Sequence, residues 1–230
     1  MKRESEFTLV KSVSDDSRST IRDSPVIRRL GLVEYAPTCD SMRRFTDERG
    51  EATADELWLL EHPSVYTTGL AGRPEHFPRH STVPLVRTDR GGQITYHGPG
   101  QAVVYVLVDL ARRDLKVRAM VTLIEQAVID TLAEYDIPAG RRGGAPGVYV
   151  DGAKVAALGL RVRHGCCYHG VALNVNMDLA PFAAIDPCGY PGLEVTQTSA
   201  LGVTAGVAEL GDALARWIAK PLDRKYDRRH

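Results

Sequence analysis

A glycine-rich segment runs directly into a long apolar stretch at residues 90–110, which read RGGQITYHGPGQAVVYVLVDL. Residues 101–110 are almost continuously apolar and rich in valine, a pattern typical of a β-strand that is covered on both faces. The preceding residues hold four glycines and one proline. Glycines let a backbone approach a ligand closely, and they also bend the corners of sheets. Arg90 and His97 lie in the same segment and favour a binding site over a simple bend.

Residues 90–97, called the glycine segment below, do not carry a nucleotide-binding motif. No Gly-Lys-Ser/Thr follows at the offset that a phosphate-binding P-loop requires. The segment leads into a strand rather than a helix, which argues against a dinucleotide-binding turn. The sequence therefore indicates a site of another kind.

The pattern on either side of this strand is mixed. Residues 117–135 place apolar side chains at spacings of three and four, which predicts an amphipathic helix. Two strands, GVYV and KVAALGLRV, flank Asp151-Gly152, a pair typical of a hairpin turn. The same reasoning predicts further strands within residues 24–35, 56–63 and 168–179, and further helices within residues 39–49 and 203–219. We therefore expect an α/β fold with a mixed sheet and flanking helices.

Length and composition are those of an ordinary globular enzyme. The chain has 230 residues, of which 43% are hydrophobic and 25% charged, and 29 basic residues balance 29 acidic ones. A zero net charge gives no bulk attraction to nucleic acid or to an anionic membrane, so we expect neither partner. We expect a disordered extension over residues 1–24, a single catalytic domain over residues 25–220 and a charged tail over residues 221–230.

The N-terminal residues lack the apolar core of a secretory signal, and their acidic side chains are atypical of a transit peptide. No apolar run approaches the roughly 18 residues of a membrane span. We therefore expect a cytoplasmic protein whose four cysteines stay reduced.

Cys188 and Lys154 stand out for their chemistry. Cys188 lies in IDPCGYPG, residues 185–192, where proline and glycine favour a tightly set loop rather than a helix or a strand. A cysteine acts as a nucleophile in its thiolate form, which a nearby cation favours. The loop has no cation of its own. Lys154 opens an apolar strand, so its ammonium is expected to be partly desolvated, and it is a candidate partner together with the histidines.

Cys166, Cys167 and His169, in CCYHG, invite a metal-site interpretation. Adjacent cysteines do not readily face one ion, and no Cys-x-x-Cys pair exists, so strand residues are the better interpretation. Alternation along a strand would put His169 on the same face as Val171 and Leu173. We predict no metal and no cofactor.

Five segments in order resemble the lipoyl(octanoyl) transferases, a family similar in fold to lipoate ligases and biotin protein ligases. The resemblance runs from about residue 26 to about residue 219. Its segments read LLEHPSVYTTG, RGGQITYHGPGQAVVYVLVDL, KVAALGLRV, YHGVALNVNMDL and DPCGYPGLEVTQ. It implies a biotin protein ligase-like or lipoate ligase-like catalytic domain. The implied reaction is transfer of an octanoyl group from acyl carrier protein, through a cysteine thioester, to a lysine of a lipoyl domain.

The resemblance also implies roles for particular residues. Cys188 matches the nucleophile, and Lys154 matches the lysine that activates it. The implied partners are octanoyl-acyl carrier protein and the lipoyl domains of 2-oxoacid dehydrogenases and of the glycine cleavage H protein. His169 is a possible contributor. The implied acyl pocket consists of Arg90, Gly91, Gly92, Gln93, Ile94, Thr95, Tyr96, His97, Ala157, Leu158, Gly159, Gly170, Val171 and Ala172.

Three expectations follow from this chemistry. Small pocket residues would suit a narrow tunnel for a straight acyl chain. Backbone N–H groups near Gly189 or in the glycine segment would stabilise the oxyanion. Because the implied carrier proteins are generally acidic, a local basic patch is expected, with Arg141, Arg142, Arg161 and Arg163 as candidates.

Two other functions remain as alternatives. An ATP-dependent lipoate or octanoate ligase could use the same fold and would need no cysteine nucleophile. A non-catalytic carrier-binding homologue would form no covalent intermediate. The presence of both Cys188 and Lys154 argues against each of them.

Overall fold

The computed structural model describes residues 24–78, 81–190 and 192–223, and for Cys188 it describes the backbone alone. A seven-stranded mixed sheet has the order β1-β2-β6-β10-β9-β8-β7, and a smaller sheet has the order β4-β3-β5. Strand pairs β1–β2 and β3–β4 are parallel and the others are antiparallel. The strands are β1 Val26–Leu32, β2 Glu56–Glu61, β3 Val65–Thr68, β4 Leu85–Arg87, β5 Ile94–His97, β6 Gln101–Asp109, β7 Gly140–Arg141, β8 Val148–Val150, β9 Ala153–Arg163 and β10 Cys166–Asn174.

Three α-helices cover the large sheet. They are α1 Tyr35–Glu48, α2 Val117–Ala133 and α3 Val207–Leu222. Short 3₁₀ turns occupy Pro74–His76, Ala180–Ala184, Pro187–Gly189 and Thr198–Leu201. None of the helices over the described ranges combines the length and apolar character that crossing a bilayer requires.

The large sheet separates two apolar clusters. Alternate residues of β6, such as Val104 and Val106, face α2 and α3 and pack with Ile124 and Leu214. The intervening residues face α1, where Tyr105 lies in a second cluster. A third cluster fills the space beside the small sheet and joins Tyr66, Ile94, Tyr96, Met177, Phe182 and Ile185. The α/β fold with a mixed sheet and flanking helices is confirmed.

The hairpin between β8 and β9 forms as predicted. Asp151 and Gly152 both have positive φ, 48° and 86°, as a two-residue turn of this kind requires. The β6 prediction is also confirmed, and α2 ends two residues earlier than expected, at Ala133.

Other element boundaries differ from the sequence prediction. Helix α1 begins at Tyr35, in residues expected to be strand, because Pro37 is compatible with a first helical turn. Helix α3 begins four residues late, at Val207, because a 3₁₀ turn ends at Leu201 and Gly206 precedes the helix. Strands β3 and β5 are not among the predicted strands. Each has only four residues, all buried, so neither shows the alternation that marks a strand.

Candidate active site

A pocket opens on the α1 side of the large sheet, between strands β6, β9 and β10 and the glycine segment. It spans about 490 Å³ including its mouth, a size typical of small-molecule sites. Its walls combine aromatic and small side chains with a few polar groups. The lining residues are Tyr35, Arg90, Gly92, Gln93, Thr95, His97, Val103, Tyr105, Ala157, Leu158, Gly159, His169, Gly170, Val171 and Ala172.

Most of the residues expected to bind an acyl chain lie in this one pocket. Three members of the glycine segment do not line it. The N–H of Gly91 donates to the carbonyl of Leu160 at 2.9 Å, which docks the segment on β9. Ile94 and Tyr96 pack instead in the cluster beside the small sheet. These three residues shape the pocket wall from behind, and the binding role of the others stays a prediction.

The buried guanidinium of Arg90 braces the glycine segment. Its Nη2 donates to the carbonyl of Thr67 at 2.8 Å, the hydroxyl of Thr67 at 3.0 Å and the carbonyl of Gln93 at 2.8 Å. Its Nη1 donates to the carbonyl of Gly91 at 3.0 Å. Arg90 therefore ties the segment to itself and to β3.

Both ring nitrogens of His97 have partners within the protein. Nδ1 lies 2.8 Å from Oε1 of Gln101, and Nε2 lies 3.3 Å from the hydroxyl of Thr67. Burial, together with the nearby His62, lowers the pKa of His97 to about 3. His97 is thus a neutral group held in place, with its ring stacked on Tyr35 at 5.8 Å between centroids.

His169 does not share a face with Val171 and Leu173, contrary to the expectation from alternation. Its φ of 63° interrupts the extended backbone, so its ring turns toward the pocket and stacks on the adjacent Tyr168 at 4.9 Å. Nε2 of His169 lies 2.9 Å from Asp89 Oδ1. Nδ1 is buried with no hydrogen-bond partner in the described residues. His169 is therefore a pocket residue, and its chemical role stays a prediction.

Asp89 is the centre of a hydrogen-bond network at this end of the pocket. Its carboxylate accepts hydrogen bonds from the hydroxyl of Tyr168 and from Nε of Arg43, the latter at 3.3 Å. Burial alone would raise the pKa of Asp89, but hydrogen bonds from His169, Tyr168 and Arg43 lower it well below its usual range. Asp89 is thus an anion whose oxygens are already engaged.

Cys39 brings a thiol close to this network. Potential ligand atoms of Cys39, Asp89 and His169 lie within 4.8 Å of one another. The Asp89 carboxylate already accepts from Tyr168, His169 and Arg43, and the Cys39 sulfur lies 3.8 Å from the hydroxyl of Thr88. Hydrogen bonding within the protein accounts for this grouping.

Lys154 is buried near the start of β9, with 3% of its surface exposed. Its Nζ donates to the carbonyl of Pro146 at 3.0 Å and lies 5.2 Å from the ring centroid of Tyr149. Gly147 makes room for it: a Cβ there would lie 3.0 Å from Cε of Lys154 and 2.8 Å from the carbonyl of Ala156. The glycine-rich connection at residues 140–147 thus packs around the Lys154 ammonium.

The loop that carries Cys188, residues 186–190, connects Lys154 to the pocket. We call it the cysteine loop. After it, the chain pairs with β9, because the N–H of Lys154 donates to the carbonyl of Glu194 at 2.8 Å and the N–H of Thr196 to the carbonyl of Lys154 at 2.9 Å. Within it, the Tyr190 hydroxyl donates to the carbonyl of Gly144 at 2.7 Å. The Cys188 side chain lies outside the described residues.

Gly189 sets the cysteine loop against the pocket. Its φ is 75°, and a Cβ at this position would overlap the carboxamide of Gln93. The backbone N–H groups of Gly189 and Tyr190 are taken up by the turn, donating to the carbonyls of Asp186 at 2.8 Å and Pro187 at 3.2 Å. The 3₁₀ turn therefore engages these two groups, and stabilisation of the oxyanion by backbone N–H groups near Gly189 or in the glycine segment stays a prediction.

Glycine is required at positions 159 and 170 because neighbouring backbone lies close to them, which the sequence interpretation did not consider. A Cβ at Gly159 would lie 2.8 Å from the carbonyl oxygen of Gly91, and one at Gly170 would overlap the carbonyl of Val104. Both glycines permit close approach of neighbouring backbone, which fixes the separation of the pocket walls.

The four candidate arginines do not form one basic patch. Arg141 pairs with Glu125 at 3.1 Å beside α2, and Arg163 pairs with Asp47 at 2.7 Å. Arg141 lies on the edge strand β7, whereas Arg161 and Arg163 lie at the far end of β9. Arg141 is level with Ala156 of β9 through its pairing with Val148. At about 3.3 Å per residue, Arg161 and Arg163 therefore lie about 17 and 23 Å further along the sheet.

Sequence reasoning missed four residues of the site. Tyr35, Val103 and Tyr105 line the pocket, and Asp89 orients His169. Tyr105 could have been identified from the sequence, because a hydroxyl in an otherwise aliphatic strand needs a hydrogen-bond partner. The Tyr105 hydroxyl lies 2.6 Å from Nε2 of His62. Burial lowers the pKa of His62 to about 4. Tyr35 and Asp89 reach the site through tertiary packing and gave no local signal.

Comparison with known proteins identifies the class. Residues 34–219 match the model of the lipoyl protein ligase A/B catalytic domain, and the chain belongs to this family. It is 59% identical over 201 residues to an octanoyltransferase of Dechloromonas aromatica (strain RCB), covering 87% of this chain and 98% of that protein. It is 61% identical over 198 residues to an octanoyltransferase of Azoarcus sp. (strain BH72), covering 86% and 87% respectively. Among the family, the chain groups with these acyltransferases, as the five segments predicted.

Solved structures confirm the fold. A crystal structure of lipoate-protein ligase A bound with ATP superposes with a TM-score of 0.72 at 16% identity, covering 86% of this chain and 85% of that one. Biotin protein ligase from Aquifex aeolicus, in complex with biotin and ATP, superposes with a TM-score of 0.54 at 13% identity, covering 86% and 70%. At these identities the likeness concerns the fold alone.

Proposed function

We propose that the chain transfers an octanoyl group from acyl carrier protein to a lysine of a lipoyl domain, with Cys188 holding the group as a thioester between two half-reactions. The octanoyltransferases to which the chain is about 60% identical support octanoyl transfer, which serves lipoate biosynthesis. The cysteine intermediate, the residue roles and the two protein partners are our proposal.

The position of the cysteine loop is the observation that carries the proposal. Gly189 packs on the pocket residue Gln93, and Tyr190 bonds to the same glycine-rich connection whose Pro146 accepts from the Lys154 ammonium. The loop therefore spans the gap between a buried cation and the pocket. We propose that the Cys188 sulfur reacts between the Lys154 ammonium and the pocket.

The other three cysteines are poorly suited to the task. Burial raises the pKa of Cys39 and Cys166, and it raises the pKa of Cys167 to about 12. Cys167 lies in the core cluster that faces α2 and α3. These thiols stay protonated at neutral pH and are weak nucleophiles. This contrast supports Cys188 as the acyl carrier.

The chemistry divides into two balanced steps. In the first, the Cys188 thiolate attacks the thioester carbon of octanoyl-acyl carrier protein, a new S–C bond forms, and the carrier leaves as its own thiolate. In the second, a neutral lysine amine attacks the Cys188 thioester, the amide C–N bond forms, and the Cys188 sulfur leaves. The amine proton passes to the departing Cys188 sulfur, because Lys154 is already protonated. Covalent transfer of this kind lets two bulky carrier proteins bind in turn.

The buried ammonium of Lys154 serves the sulfur in both steps. It stabilises the thiolate by charge before the first attack and again when the sulfur leaves. The pocket holds the octanoyl chain beside Ala157, Leu158 and Ala172, whose apolar surfaces exclude water. We also propose that the acceptors are lipoyl domains of 2-oxoacid dehydrogenases and the glycine cleavage H protein, and that the reaction is cytoplasmic.

Intact-mass measurement tests the proposal. The chain is mixed with octanoyl-acyl carrier protein in the absence of ATP, and one octanoyl adduct on Cys188 is expected. Cys188→Ala should form no adduct and show no transfer to a lipoyl domain. Cys39→Ala, Cys166→Ala and Cys167→Ala are the matched controls and should keep most of the activity. An adduct on any of those three residues, or no adduct at all, contradicts the proposal.

The same experiment separates the ligase alternative. A ligase on this fold would act on free octanoate, require ATP and leave Cys188 unmodified. Octanoylation of a lipoyl domain from free octanoate plus ATP, undiminished in Cys188→Ala, would establish the ligase activity instead.

A further inference from the structure

Acyl transfer calls for oxyanion donors beside the cysteine loop. Attack on a thioester places negative charge on the carbonyl oxygen, and enzymes meet that charge with N–H donors set in advance. The N–H groups of Gly189 and Tyr190 are consumed by the turn, and the N–H of Gly91 is consumed by β9. A side-chain donor beside Cys188 would meet the charge that these three N–H groups do not.

The side chain of Gln93 occupies that place. It lines the pocket, and its carboxamide lies directly against Cα of Gly189, the residue that follows Cys188. Gly189 is required there, because any Cβ would overlap the carboxamide. The same side chain thus touches both the acyl site and the backbone of the nucleophile loop.

Gln93 also has hydrogen-bonding capacity that the protein does not use. Its Oε1 is buried and has no partner in the described residues. A carboxamide presents two N–H donors on one side and an acceptor on the other, and rotation by about 180° exchanges them. A thioester carbonyl in the pocket would supply the acceptor that an inward-facing NH₂ group needs.

We propose that the Gln93 carboxamide donates a hydrogen bond from Nε2 to the thioester carbonyl oxygen and is a catalytic residue of both half-reactions. This inference rests on the proposed function. As the Cys188 S–C bond forms, the carbonyl π electrons move to oxygen, where the Nε2–H bond stabilises them. As the intermediate collapses, they re-form the carbonyl and the leaving group departs. The Nε2 proton stays on Gln93 throughout.

The test compares two reactions of the Cys188 thiol in the full chain. Acylation by octanoyl-acyl carrier protein develops an oxyanion, whereas alkylation by iodoacetamide displaces iodide and develops none. Gln93→Met keeps the length of the side chain and removes the donor. It should slow acylation at saturating carrier by about 10²–10³-fold, change KM little, and leave the alkylation rate within about twofold. Gln93→Glu keeps the shape, removes the donor and should slow acylation at least as much.

Gln126→Met is the control, because Gln126 is exposed on α2 and bonds to Asp130. It should leave both rates unchanged. Normal acylation in Gln93→Met and Gln93→Glu would overturn the inference, as would an equal slowing of acylation and alkylation, which would mean that Gln93 only holds the loop. If the unaltered chain forms no adduct on Cys188, the proposed function fails; a normal wild-type adduct with unaffected Gln93 variants overturns this inference alone.

Discussion

The two ends of the candidate site hold charged groups in different ways. At the end marked by His169, the anion Asp89 is the hub of a network with Tyr168, His169 and Arg43. At the other end, six residues earlier along β9 than the His169 partner Leu160, the Lys154 ammonium contacts a backbone carbonyl and the face of Tyr149. The Asp89 carboxylate holds the side chains of Tyr168, His169 and Arg43 in place. The Lys154 charge lies beside the glycine-rich connection to which the cysteine loop is bonded.

The Asp89 network therefore positions side chains, whereas Lys154 is assigned to the proposed reaction. Changes at the Lys154 end should therefore reduce turnover far more than stability. Changes at the Asp89 end should do the reverse.

Lys154→Met should lower the rate of octanoyl transfer by about 10³-fold or more, because it removes the charge that favours the Cys188 thiolate while keeping much of the side-chain volume. Single-turnover transfer to a lipoyl domain measures the effect. Lys116→Met, at the residue that precedes α2, is the control and should retain full activity. A Lys154→Met variant with more than a tenth of wild-type activity would remove Lys154 from the mechanism.

Gly147→Ala should lower turnover by about 10–100-fold. The new methyl group would press on Cε of Lys154 and on the carbonyl of Ala156, and the φ of 137° disfavours any side chain. Gly143→Ala lies in the same connection, where a Cβ would meet nothing within 4 Å, so it should be neutral. Equal activities of the two variants would show that the packing of residue 147 against Lys154 does not affect turnover.

Asp89→Asn should lower the free energy of unfolding by about 1–3 kcal/mol, because it weakens the hydrogen-bond network around Asp89. Turnover should fall by less than about tenfold. The folded-state pKa of Asp89 is lowered, so its contribution is present above the unfolded value of about 3.8 and is lost as the pH falls below it. Urea unfolding should therefore show a difference between wild type and Asp89→Asn at pH 7 that shrinks below pH ~4. A difference independent of pH would contradict the charge assigned to Asp89.

His97→Gln should reduce the acid sensitivity of the fold without abolishing transfer. Since burial lowers the pKa of His97 to about 3, the unfolded chain binds a proton below pH ~6.5 that the folded chain does not. Stability should fall from pH 6.5 toward pH 4 by up to about 1.4 kcal/mol per pH unit for this residue, and the variant should lose that slope.

Regular elements of this protein could be predicted from the sequence because their patterns are local. The valine-rich β6, the α2 helix and the Asp151-Gly152 turn each follow from spacing or from a dipeptide. Strands β3 and β5 could not, since four buried residues show no periodicity.

The candidate site divides in the same way. Cys188 and Lys154 were found from their unusual settings and from the family resemblance. Asp89 and Tyr35 were not, because their roles arise from contacts between segments far apart in sequence. The positive φ of His169 also broke the alternation rule and changed the face on which that side chain lies. Gln93 was predicted to bind the acyl chain, but its contact with Gly189 appears only in the folded chain.

The most direct test of the central claim is the pH profile of Cys188 alkylation by iodoacetamide, measured in wild type and in Lys154→Met with the other three cysteines replaced by alanine. If Lys154 supports the thiolate, wild-type Cys188 should react rapidly at pH 7. In Lys154→Met the pH of half-maximal rate should move upward, toward the ~8.5 of a free thiol. Superimposable profiles for the two proteins would contradict the account.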